Sequence, residues 1–192
     1  VTLTDLLAPT YLNMLGALSG WLDKTAQGRD DDGTPLMRAR LAPDMFPLAT
    51  QVRFACVQAQ EGMYRLRDEA FPSSIDTLLD EGRNAAEHPG TIADARARIA
   101  ETVALVETLR STTPTPDPDR PVAHALPMGM IFDMTAQGYA RDWAIPQFYF
   151  HVMTAYAILR AEGVPLGKAD YVAHMFAYLR PGTMPNAPAP AA

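Results

Sequence analysis

Trp143-Ala144-Ile145-Pro146-Gln147-Phe148-Tyr149-Phe150-His151-Val152-Met153-Thr154-Ala155-Tyr156-Ala157-Ile158-Leu159 contains no Asp, Glu, Lys or Arg. A helix that crosses a membrane needs about 20 predominantly apolar residues. This run is shorter, and Pro146, Gln147, His151 and Thr154 interrupt it, so it reads as the central helix of a water-soluble bundle. Proline lacks an N–H and disfavours helical geometry in the residue before it. The expectation is therefore a short helix capped by Thr135, a kink or break near Ala144 and Ile145, and a long helix over residues 146–161. Gly163 then offers a C-terminal cap, and Pro165 prevents continuation.

Outward from this segment the pattern is helical again. Leu7, Tyr11, Met14, Leu18 and Trp21 recur at steps of three and four, which predicts an amphipathic helix over residues 4–27. Met45, Leu48, Val52, Ala55, Ala59, Met63 and Leu66 continue the same spacing over residues 44–68, with Asp44 as the expected N-cap. Thr91-Ile92-Ala93-Asp94 has capping-box spacing ahead of Ile99, Val103, Val106 and Leu109, predicting a third long helix over residues 92–110. Shorter helical pieces are expected at residues 35–41, at 73–79 with Gly82 as terminator, and at 171–179.

Between the third and fourth long helices lies Pro114-Thr115-Pro116-Asp117-Pro118-Asp119-Arg120-Pro121, too rich in proline for helix or central strand. It predicts an exposed crossover, followed by a small hairpin over residues 122–126 and 130–134. Four long helices with one such crossover define an all-α fold, a four-helix bundle carrying a small β-hairpin. Residues 1–180 are expected to form one domain, with 181–192 a mobile Pro/Ala-rich tail. The 17 prolines among 192 residues thus fall mainly in the crossover, in the tail and at helix boundaries.

Charge narrows the partners. Sixteen Lys and Arg against 22 Asp and Glu leave a net charge of −6, with no clustered basic face, so neither nucleic acid nor a membrane surface is expected. Cys56 is the one cysteine, which excludes an intrachain disulfide, and the first residues do not resemble a secretion signal; a cytoplasmic setting is expected. Glycine-rich phosphate loops, the nucleophile-elbow motif and the H-E-x-x-H pattern do not occur.

Ligand sites in bundles form from inward-facing polar side chains on neighbouring helices. On the fourth long helix Gln147 and His151 are four apart and share a face; on the second, Asp44, Leu48 and Gln51 do the same. If these helix beginnings meet, Asp44, Gln51, Gln147 and His151 converge. His151 and Asp44 are then the candidate acid-base groups, and Gln51, Gln147, Tyr149, Tyr156 and Trp143 the candidate substrate-binding groups. Each has a plainer role as well: His151 as a hydrogen-bonded core histidine paired with Gln51 or Asp44, and Asp44 as a helix cap. Cys56 on the inner stripe reads as an inert buried thiol. Met45 and Met153 are candidates to line an adaptable pocket, and Asp170 with His174 form a weak metal-ligand spacing. His88, in a loop, and His124, on a strand expected to be exposed, receive no role.

Two runs carry a family resemblance. Arg40-Leu41-Ala42-Pro43-Asp44-Met45-Phe46-Pro47-Leu48 with Gln51-Val52, and Pro146-Gln147-Phe148-Tyr149-Phe150-His151-Val152 with Thr154-Ala155-Tyr156-Ala157-Ile158-Leu159-Arg160 and Gly163-Val164-Pro165-Leu166-Gly167-Lys168, closely resemble DUF1993. That is a functionally uncharacterised bacterial family in the DinB/YfiT-like superfamily. The resemblance, over about residues 2 to 170, implies a DinB-like four-helix bundle, often a homodimer. Many members of the wider superfamily hold a divalent metal through one histidine on the second helix and an H-x-x-x-H pair on the fourth. Here the pair reads Gln147-x-x-x-His151, and the helix-two position falls to Gln51 or Asp44. With one imidazole of three, zinc or nickel would be bound poorly. The expectation is no metal, no cofactor, and a small-molecule pocket in a binding protein or cofactor-free enzyme. The alternatives are a divalent-metal-dependent DinB-like enzyme of transferase or hydrolase type, and a non-catalytic dimeric structural protein.

Overall fold

The structure is a computed structural model in which residues 1–27, 29–112 and 114–183 are described. The elements follow the order α1 (Leu3–Ala26), α2 (Thr34–Met37), α3 (Leu48–Arg67), α4 (Ser73–Arg83), α5 (Ile92–Thr112), β1 (Pro121–Ala125), β2 (Ile131–Thr135), α6 (Ala136–Gly138), a turn of π-helix (Tyr139–Ala144), α7 (Ile145–Ala161), α8 (Lys168–Tyr171) and a 3-10 segment (Ala173–Tyr178). Helices α1, α3, α5 and α7 form the bundle. α3 sits centrally, packed on α1, α4, α5 and α7.

Local chemistry explains most boundaries. Thr2 caps α1 by accepting from the Asp5 N–H, while the Asp5 carboxylate accepts from the Thr2 N–H, a reciprocal box. Thr91 and Asp94 do the same for α5. At the end of α7, Gly163 takes φ +81, and the Val164 N–H donates to the Leu159 carbonyl, closing the helix with the left-handed turn that glycine allows.

Three boundaries differ from the sequence pattern. Helix α3 begins at Leu48, with Pro47 rather than Asp44 as the cap: the Pro47 carbonyl accepts the first helical N–H groups, from Thr50 and Gln51. Phe46 precedes a proline, which disfavours helical geometry there, and the helix starts beyond it. Asp44 lies in an exposed turn. Helix α4 runs through Gly82 instead of stopping there. That glycine permits close approach of α4 to α3, because a Cβ at position 82 would collide with the Phe54 ring. At Pro146 no break occurs. The wider π-helical turn just before it accommodates the missing N–H, and Ile145 keeps helical angles of −66° and −51°.

Leu7, Leu15, Leu18, Val52, Met63, Ile99, Phe148 and Leu159 are fully buried and fill the centre. The edge-on pairs Tyr11 with Phe148 (4.8 Å) and Trp21 with Tyr156 (5.2 Å) lock α1 to α7 with the two helices running in the same direction. Strands β1 and β2 pair antiparallel from Pro121 opposite Thr135 to Ala125 opposite Ile131. Two strands alone are marginal. This hairpin leans on the bundle through its inward residues Val122 and His124. His124 is 5% exposed, which corrects the expectation of an exposed strand position. No helix among the described residues is long and apolar enough to cross a membrane. The expected tail lies mostly in residues 184–192, outside the described residues.

Candidate functional site

Gln51 stands in the first turn of α3 and His151 in the second turn of α7. Antiparallel packing brings them together: Gln51 meets His151, while further along α3 Arg65 lies over the ring of Tyr139, earlier in the chain than α7. The beginnings of the two helices therefore do not meet. The start of α3 meets the interior of the fourth helical segment, and Gln147 is carried one turn away along α3.

The hydrogen bonds define the proton positions. Gln51 is 2% exposed, and its Nε2 donates to the Phe46 carbonyl at 3.2 Å. Its Oε1 is thereby turned to His151 Nδ1, at 2.9 Å. An amide oxygen only accepts, so Nδ1 carries the proton and Nε2 of the neutral ring bears the lone pair. Burial pushes the His151 pKa down to about 4, so the ring is neutral at physiological pH. No hydrogen bond among the described residues engages Nε2. Phe54 and Phe150 each set an edge against the imidazole at 5.3 Å, and Phe46 in turn packs on Phe54 at 5.8 Å.

Other expected residues are dispersed. Asp44 is exposed, and no hydrogen bond joins it to His151. Trp143 packs on His124 at 4.3 Å and on Phe132 at 5.9 Å, on the hairpin side. Tyr156 joins Trp21 and Tyr171, and Tyr149 lies beside Phe148, its hydroxyl pKa raised by burial and by Tyr171. Gln147 is half-buried on the same face as His151. The ring partners of His151 are instead Phe54 and Phe150, backed by Phe46. Phe54 stands three residues after Gln51, and that spacing is the one signal in the sequence that points to it.

Among the described residues, clefts of about 290 to 400 Å³ lie elsewhere, lined by residues other than His151, Gln51 and Gln147. His151 itself is partly buried, while its ring neighbour Phe150 and, on the far side of Phe54, Phe46 are exposed. Cys56 is wholly buried and its thiol is pushed up to about 12, as an inert core position requires. Asp170 is committed to Lys24 and to the Gly167 N–H, away from a metal-binding role with His174.

This architecture, a helical bundle with a crossover hairpin and a polar pair between α3 and α7, is of the DinB-like class. A solved structure described as a DinB family member protein from Shewanella denitrificans is 30% identical, with a TM-score of 0.66 over 88% of this chain and 91% of that one. Residues 3–172 match the family described as Domain of unknown function (DUF1993), and the chain belongs to that family. No curated protein matches it.

The metal centre common in the wider superfamily can be tested against these residues. His151 presents a single imidazole nitrogen, Gln51 Oε1 is occupied by the Nδ1 proton, and Asp44 stands apart. Among the described residues no three His, Cys, Asp or Glu side chains gather in a way that could hold a metal ion. The donor set does not fit zinc or nickel.

Proposed function

We propose that this protein binds a small molecule at the face around His151, with Nε2 of the neutral imidazole as the acceptor for a hydrogen-bond donor on the ligand. The carrying observation is the chain Phe46 carbonyl, Gln51 amide, His151 Nδ1, which pre-sets the tautomer and holds the ring in place. Polar groups half-buried among aromatic rings are costly unless they are paired, and Nε2 is the one edge of this chain left for a partner from outside. A pKa of about 4 suits a hydrogen-bond acceptor better than a general acid or base, whose pKa should lie near the working pH. The ligand class is an apolar or aromatic body with one hydroxyl or N–H. The lone buried thiol of Cys56 is in keeping with a reduced, cytoplasmic setting.

Histidine-selective ¹⁵N NMR with phenol as probe tests this reading. The expected result is a neutral ring protonated on Nδ1, with an Nε2 resonance that shifts saturably on titration and no response in His151→Phe. A ring protonated on Nε2, or a shift that does not saturate, would overturn it.

A second reading rests on the exposed border. Phe46 and Phe150, on the two sides of the Phe54–His151 contact, are 50% and 57% exposed, apolar side chains of the kind that mark interaction surfaces. In that reading a second copy of the chain covers the face and completes the site. Analytical ultracentrifugation is expected to show a dimer that Phe150→Glu dissociates; a monomer at every concentration would refute it.

A further inference from the structure

On the opposite flank of α3, Arg53 is 5% exposed although it carries a charge. A buried guanidinium requires compensation. Its Nη1 donates to the Ala49 carbonyl at 3.1 Å, within its own helix. The carboxylates around it are already committed. Glu81 accepts Arg98 Nη2 and Nε at 2.6 and 3.0 Å and stands 3.6 Å from Arg53 Nε, an ion pair that supplies Arg53 no hydrogen bond. Asp94 accepts the Thr91 N–H and hydroxyl at 2.8 Å each, as the cap of α5. Asp80 pairs with Arg83. Gly90, at φ +69, closes the far side; a Cβ there would stand 3.0 Å from Arg53 Nη2.

Arg53 is thus ion-paired with Glu81 but makes a single hydrogen bond, so its fork keeps N–H donors to spare, and it forms part of the wall of two clefts. One, of about 390 Å³, is lined also by Thr77, Asp80, Asn84 and His88; the other, of about 370 Å³, by Asp94, Ala97 and Arg98; Glu81 borders both. These volumes fall within the range of small-ligand sites. The charge pattern selects the occupant. A cation would face Arg53 and Arg98, and no metal-holding group exists among the described residues. A phosphate dianion would meet Asp80, Glu81 and Asp94. A single planar carboxylate matches the fork of one guanidinium and adds the least negative charge.

We propose that the cleft between α3, α4 and the loop that follows α4 binds a small carboxylic acid, its carboxylate seated on Arg53 and its body along Thr77, Asn84 and His88. The site is separate from His151 and does not depend on the reading of that face.

The test titrates the ¹⁵N-labelled full chain with sodium propionate, against sodium chloride and sodium phosphate at matched ionic strength. It follows the Arg53 Nε–H and the Asn84 and Gly90 amides. A saturable shift with propionate alone is expected. Glu81→Gln removes the competing carboxylate and is expected to tighten binding about fivefold, the scale on which one like-charge neighbour acts at a partly exposed site. Arg53→Lys keeps the charge but loses the fork and is expected to abolish saturation. Should that variant fail to fold, Thr77→Phe narrows the cleft from the exposed face of α4. It is expected to weaken propionate binding while leaving the unfolding temperature unchanged. No saturable shift in either the wild type or Glu81→Gln would overturn the proposal, as would an equal response to phosphate.

Discussion

His151 and His124 are both drawn into the protein, and burial lowers the pKa of each, yet their surroundings are opposites. His151 donates its Nδ1 proton to a glutamine oriented by a backbone carbonyl, and Phe54 and Phe150 stand edge-on to its ring. His124 is held by ring packing, against Trp143 at 4.3 Å and Tyr139 at 5.4 Å, and neither of its nitrogens has a hydrogen-bond partner among the described residues. One imidazole is kept by a polar partner and the other by aromatic volume. Burial alone therefore does not distinguish the two histidines; the presence of a hydrogen-bond partner does.

The largest effect should come from volume. His124→Ala removes a buried ring between two aromatic side chains and is expected to cost about 3 kcal/mol, the scale of large-to-small core changes, by chemical denaturation. A loss below half of that would mean the hairpin does not depend on this contact. Next, Gln51→Leu leaves the His151 Nδ1 proton and the Phe46 carbonyl unpaired, at about 2 kcal/mol. The double variant with His151→Phe no longer needs an acceptor, so the two costs should fall well short of adding. Simple additivity would show that the pair contributes no coupling.

Acid should act on both rings in the same direction, since burial lowers the pKa of each. In the unfolded chain His151 takes up a proton near pH 6.5, whereas in the folded protein it resists until about pH 4. The unfolded state binds more protons across that window, so stability is expected to fall as pH drops from 6.5 to about 4. His151→Phe should flatten the slope. Glu61 supplies an opposing trend: burial raises its carboxyl from 4.5 to about 7, so the folded form holds its proton longer and stability declines as pH rises between those values. Glu61→Gln should remove that decline. Denaturation midpoints measured from pH 4 to 8 check both. The smallest effect is expected for His124→Phe, within about 1 kcal/mol of wild type, because the ring volume stays and no hydrogen bond is lost.

Much of the frame was legible from periodicity and capping chemistry. The steps of three and four in α1 and α3, the reciprocal Thr91 and Asp94 box, and the proline-rich crossover each act over a few residues. The start of α3 was misread because Asp44 looks like a cap, while the restraint that Pro47 places on Phe46 prevails. His124 was misread for a different reason: strand alternation says which residues share a face, but the bundle decides which face is covered.

The candidate site divides along the same line. Gln51 and His151 stand out locally, as polar residues on apolar stripes. That they touch at 2.9 Å follows from the antiparallel packing of α3 and α7. The same packing sends Trp143 to the hairpin and Tyr156 to Trp21 and Tyr171. Local sequence alone thus determined the four long helices, the cap of α5 and the all-α class, because hydrogen bonding and side-chain periodicity within a helix span only four residues. Which faces meet, which histidine gains a hydrogen-bond partner and which arginine is buried beside a shared carboxylate were decided only by the tertiary structure, since charges and ring edges acquire partners when residues distant in the chain are packed together.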